Sequence, residues 1–203
     1  MKRVLIALLI LAPASVLVAF RAASKTLTLQ PESRLWVEGT SNVRSFSCTA
    51  TSLHVQVASS DDAVARVLAG EKAVTGVEVT VPANSLDCKN GKMNEHLRKA
   101  IKAEEHPDIR FHLATYDLVK DSVGVALTLS GTLALGGTEK PITIAATARP
   151  DSGGALRVVG RYVVSMKDYG LKPPSLMLGA FKVGNDVTVN FDLHLKDAPA
   201  TTE

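Results

Sequence analysis

Two cysteines, Cys48 and Cys88, and five histidines are the residues on which reactive or metal chemistry could be built. The cysteines are far apart in the chain, and neither has a CxxC or HxxxH partner nearby, so a zinc site finds no ligand set. In an exported chain such a pair reads as one disulfide, Cys48 to Cys88, with two buried free thiols as the alternative. The histidines are scattered. His54, His112 and His194 fall on the polar parity of strand-like runs, where they should face solvent. His96 stands in a helical stretch, and His106 precedes Pro107 in a turn. No GxSxG, HExxH, glycine-rich phosphate loop or paired-carboxylate pattern occurs. Covalent and metal chemistry are therefore not expected: the reading is a non-enzymatic protein with no cofactor.

The ends and the charge narrow the class. Met1-Lys2-Arg3 precedes an uncharged run from Val4 to Phe20 that Arg21 closes. A basic start, a short apolar core and small residues after it read as a secretory signal over residues 1–23, with an uncleaved anchor as the alternative. The formal charge of +3 comes from Lys2, Arg3 and Arg21: the chain has 23 basic residues, and without these three, 20 face 20 acidic ones. A balanced mature domain gives no electrostatic reason to bind nucleic acid. The expected location is periplasmic or secreted, with membrane contact only transient or through an uncleaved N-terminus, and a homodimer is possible.

The elements that would position a site are mostly strands. Residues 24–196 read as one domain and 197–203 as a polar, loose tail. Period-two alternation is clear in Ile109/Phe111/Leu113, in Val123 through Leu135, in Ile142 through Ala148, in Leu156 through Met166, and in Val187 through Leu195. Between Ser45 and Val57 the alternation slips by one residue near Thr51-Ser52, the signature of a bulge or bend. Ser59 to Gly70 reads as a loop with one or two helical turns, capped near Ser60-Asp61-Asp62 and ended by Gly70. The one long helical passage lies within Asn84–Phe111, where Met93, Leu97, Ala100 and Ile101 share a face. About eight long strands, each with one apolar and one wet face, suit an antiparallel sheet coiled into a barrel or split into a sandwich.

Wording within these elements points further. SLDCKNGKMNEHLRKAI followed by HPDIRF resembles the YceI-like family, with its Met-x-x-His-Leu helix and Pro-x-Ile-x-Phe strand start. Ser130-Gly131-Thr132-Leu133 with Gly137-Thr138 resembles the family's GxLxxxGxT hairpin, Met166 to Pro174 its MxDFGIxPP loop, and Phe181 to Val187 its lead into the final strand. The likeness spans roughly Thr26 to Leu195, while the cysteine pair and the Ser59–Gly70 insert depart from it. The resemblance implies an all-β fold: an eight-stranded antiparallel, lipocalin-like barrel with one amphipathic helix packed against it. It also implies sequestration or transport of an apolar isoprenoid-type lipid or quinone inside.

Parity then names the residues that would line a channel: Phe111, Leu113, Val125, Leu127, Leu129, Leu156, Tyr162, Val164, Phe191 and Leu193. The competing reading is that they fill the barrel as ordinary core, leaving an exported scaffold that binds another protein through surface loops. The Asp168–Pro174 loop, with Gly170 free to take a positive φ, would sit at the mouth, where Tyr169, Lys172 and Met177 would meet the ligand's head.

Overall fold

The structure, a computed structural model, describes residues 25–176 and 181–199. The segment read as a secretory signal and Met177 lie outside the described residues. In chain order the elements are β1 (Lys25–Leu29), β2 (Arg34–Ser41), β3 (Ser45–Ala50), β4 (His54–Ser59), α1 (Ala63–Ala69), β5 (Val74–Pro82), β6 (Leu86–Asp87) and α2 (Gly91–Ala100). They continue with β7 (Asp108–Lys120), β8 (Val125–Leu135), β9 (Thr138–Pro150), β10 (Leu156–Ser165), β11 (Ser175–Leu176) and β12 (Phe181–Asp197).

The sheet closes on itself. Neighbours run β1-β4-β5-β7-β8-β9-β10-β12, and β12 returns to β1 through Leu27↔Asp197, which makes an eight-stranded antiparallel barrel. Upstream, the long β12 also pairs with β2, from Val183↔Ser41 to Asp192↔Arg34, and β2 pairs with β3. Thus β1 and β2 follow one wall position, as do β3 and β4. The break between β3 and β4 at residues 51–53 is where the alternation slips, so the slip marks a bend in the wall. Closure removes the sandwich alternative, and leaves only the two-residue strands β6 and β11 as edges among the described residues.

Alternation is obeyed where it was clear. Ile142, Ile144, Ala146 and Ala148 of β9 are buried, while Pro141, Thr143 and Ala145 between them are exposed. One irregularity escapes a period-two reading. The β7–β8 register shifts between Leu113 and Thr115, so Leu113 and Tyr116 both point inward.

Two helices close the ends, one more than expected. α1 occupies the Ser59–Gly70 insert and buries Ala63, Val64 and Val67. Its cap differs from the sequence reading. Asp62 sits at φ 52 with no side-chain cap bond, and the Ala63 N–H donates to Asp197 Oδ1 at 3.0 Å. The tail therefore starts after Asp197, which is the last residue of β12. Gly70, at φ 89, ends α1 as anticipated. At the other end α2 is capped by Asn90, whose side chain accepts from the Met93 N–H at 3.0 Å. A disulfide joins Cys48 of β3 to Cys88 just before α2, and tethers that helix to the wall.

The buried side chains form two clusters. One lies under α1 and includes Leu27, Val57, Val125, Ala148, Leu156 and Leu195; the other lies near α2 and includes Val81, Ile101, Leu135, Val164, Met166, Tyr169 and Leu171.

Candidate functional site

Between the two clusters the barrel is hollow. An interior cavity of about 520 Å³ is walled by residues from every long strand. The residues placed inside by parity are there: Phe111, Leu113, Leu127, Leu129, Leu156, Tyr162, Val164, Phe191 and Leu193 all line it. Val125 does not. At 1% exposed it packs at the start of β8 beneath α1, below the open part of the lumen.

A repeated pairing keeps the lumen open although phenylalanines line it. Gly39 stands opposite Phe46 and Gly160 opposite Phe191, while Gly131 lies diagonal to Phe111. A Cβ built on these glycines would lie 2.4, 2.3 and 2.8 Å from the respective rings. Each ring thus lies flat on the wall over an inward-facing glycine instead of projecting into the centre.

The α1 end is sealed. Val67 of α1 reaches the cavity beside Leu27, Val57, Leu156 and Leu195. Tyr116 Oη accepts the backbone N–H groups of Ala73 and Val74 at 2.9 and 3.1 Å, which pins the return from α1 into β5. On the outer surface near this end, Arg157 grips Asp192 with two hydrogen bonds of 2.8 Å. His194 contacts Asp151 through Nδ1 at 2.5 Å and Asp192 through Nε2 at 3.3 Å. The Arg157 guanidinium holds the Asp192 carboxyl below its ordinary value, and His194 does the same for Asp151. His194 is therefore not a solvent-facing histidine, as parity alone suggested. Its side chain is 13% exposed because carboxylates from two elements fold over it. Glu32, Asp151 and His194 offer ligand atoms within 4.8 Å of one another, but both nitrogens of His194 already meet carboxylates.

The α2 end is a lid over an opening. Met93, Leu97, Ala100 and Ile101, the face expected to cover apolar surface, all border the cavity. Beside them the lining turns polar, with Arg44 from the β2–β3 turn and Asn90, Lys92 and His96 from the start of α2. Parity missed these residues because none lies on an alternating strand; the one signal was their concentration around the most family-specific helix. The loop assigned to the head behaves differently. Gly170 has φ 65 as expected, but Tyr169 is 3% exposed and absent from the cavity wall, and Lys172 is exposed away from it. Leu171 and Pro174 of that loop do border the cavity. The 3-10 turn Met166–Tyr169 rolls Tyr169 into the cluster behind, where its Oη has no hydrogen-bond partner among the described residues. Burial, with Tyr162 and Asp168 adding, pushes that phenol up to about 12.

With this geometry in view, the comparisons with known proteins are specific. A family model described as the YceI-like domain matches residues 22–195. The chain belongs to the YceI-like family. Among curated proteins no sequence relative matches it. Solved structures resemble this YceI-like barrel in fold at low identity. Burkholderia cenocepacia BcnA superposes with a TM-score of 0.63 at 16% identity, covering 80% of this chain and 95% of that one. A polyisoprenoid binding domain from Saccharophagus degradans gives 0.58 at 14%, covering 86% and 99%. The Campylobacter jejuni YCEI protein gives 0.56 at 17%, covering 78% and 84%.

Proposed function

We propose that this YceI-like barrel binds and carries one apolar lipid tail, of isoprenoid or quinone type, without covalent chemistry. The observation that carries the reading is the hollow, hydrocarbon-lined lumen with one sealed end. Its size falls within the range of small-molecule sites, about 300–1,000 Å³. Burying about 400 Å² of hydrocarbon there supplies roughly 10 kcal/mol before the cost of ordering the chain. The polyisoprenoid binding domain among the structural neighbours supports the same ligand class. The disulfide fits an oxidising compartment, and we place the carrier in the periplasm or outside the cell. Among the described residues no helix is long and apolar enough to cross a membrane, so membrane contact in this reading is transient or runs through the N-terminal segment.

The test is a titration with N-phenyl-1-naphthylamine, a probe that fluoresces in apolar surroundings, on wild type and Leu127→Trp. Leu127 lines the lumen, and a Trp there occupies the space a tail would take. Wild type should bind the probe and release it to a competing prenol. The variant should fold, with wild-type circular dichroism, yet bind at least tenfold more weakly. Unchanged binding would instead favour the scaffold alternative, in which surface loops engage another protein; Leu129→Trp is the second block should Leu127→Trp not fold.

A further inference from the structure

We propose that the barrel selects an amphiphile with an anionic head, which Arg44, Lys92 and His96 hold at the α2 end. The inference rests on the carrier reading above and adds the chemistry of the head, a carboxylate or a phosphate. The polar part of the cavity lining is one-sided. Arg44, Lys92 and His96 border it together with Asn90, and among the described residues no carboxylate does. Nor are the two permanent cations neutralised nearby: among the described residues no ion pair involves Arg44 or Lys92, and His96 interacts with the neighbouring Glu95 carboxylate only through space. The acids closest in sequence are committed elsewhere, Glu95 to Lys99 at 2.7 Å and Asp87 to the Asn94 side chain at 2.8 Å.

The backbone adds to the same sign. α2 begins at Gly91, beside Lys92 and directly over the opening, and its first turn contains no acidic residue. Asn90 caps the Met93 N–H, but no carboxylate of the first turn offsets the positive end of the helix dipole. The surplus is local, because past residue 24 the chain has as many acids as bases. An unpaired surface lysine or arginine is ordinarily just solvated. Here two such cations and a half-buried histidine border an otherwise largely apolar cavity at its α2 end, away from the α1 floor. A tail inserted toward Val67 leaves its head among them.

Exposed charge pairs each contribute about a twofold to fivefold gain, so Arg44 and Lys92 together, with His96 as a hydrogen-bonding neighbour, give a preference on the order of tenfold, which salt should weaken. The experiment uses the mature full chain and matched pairs with identical tails: hexadecanoate against hexadecanol, and farnesyl phosphate against farnesol. Each displaces N-phenyl-1-naphthylamine at low salt and again in 0.5 M sodium chloride. Wild type should bind at least one anion about tenfold more tightly than its alcohol, and salt should shrink the gap; which pair shows it separates carboxylate from phosphate. The triple variant Arg44→Gln/Lys92→Gln/His96→Gln should lose the preference and keep the alcohol affinity. Equal affinity for anion and alcohol in wild type overturns the proposal while leaving the carrier reading intact, as does a preference that survives in the triple variant. Failure of the probe and every amphiphile to bind overturns both.

Discussion

The two ends of this barrel are built from similar parts and do opposite things. Each is covered by a short helix over an apolar cluster. α1 is the shorter, 7 residues, yet it buries Ala63, Val64 and Val67. α2 has 10 residues and buries none of them. Around α1 the polar groups are matched: Asp197 caps the helix, Tyr116 holds the chain after it, and Arg157, Asp192, His194 and Asp151 interlock outside. Around α2, by contrast, Arg44 and Lys92 are exposed and have no ion pair among the described residues. Satisfied polar groups and small apolar side chains make a fixed floor; half-buried apolar groups beside unmatched charge make an opening. Stability is thus concentrated at one end of the wall and binding capacity left at the other.

The contrast can be broken from either end. The largest effect should come from the mouth, where the disulfide is the main tether of α2. Closing a loop with a sequence separation of 40 stabilises by about 3–4 kcal/mol in the chain-entropy account. A Cys48→Ala/Cys88→Ala variant should melt roughly 6–16 °C lower in calorimetry. It should also release bound probe faster, because α2 loses its anchor. Unchanged release would mean that α2 is not the gate. Free-thiol titration of unfolded, unreduced wild type should find none.

The floor should respond differently. Val67 is 3% exposed, so Val67→Ala removes two methyl groups from the cluster with Leu27, Val57 and Leu195 and costs about 2 kcal/mol in a denaturant titration. Its hydrogen exchange should rise in α1 and leave α2 unaltered; a uniform rise would deny that the ends are separate units.

The smallest effect is the pH-dependent one. Asp192 has a lowered pKa, so its contribution is complete above the ordinary carboxylate value, about 3.9, and is lost as pH falls through its folded value. Asp192→Asn should therefore melt a few degrees below wild type at pH 7, and the gap should close below about pH 4. A gap that does not narrow at all as the pH falls below about 4 would assign the loss to packing instead of charge.

How far the sequence carries these results depends on where periodicity operates. β8, β9, β10 and, from Val187 onward, β12 alternate without interruption, and their inward residues could be named from parity because a closed sheet has one inside. Periodicity alone did not decide closure, since period two serves sandwich and barrel alike; the family resemblance supplied the barrel, which depends on β12 being long enough to reach both β1 and β2. Residues beyond the strands were harder. Tyr169 and Val125 share the parity or loop that suggested a lining role, but a 3-10 turn and the packing of α1 remove them from the lumen. The Gly–Phe pairings that keep the cavity open are cross-strand, and register is invisible to one chain's pattern. Arg44, Lys92 and His96 converge only through the fold.

The central claim is that the lumen holds a lipid tail. It is tested most directly by denaturing extraction and mass spectrometry of the protein purified under native conditions from its own cells. One apolar chain compound per barrel, missing from Leu127→Trp purified in parallel, is the predicted result. Equal amounts of lipid from both proteins, or none from either together with an experimental structure showing a filled interior, would contradict it.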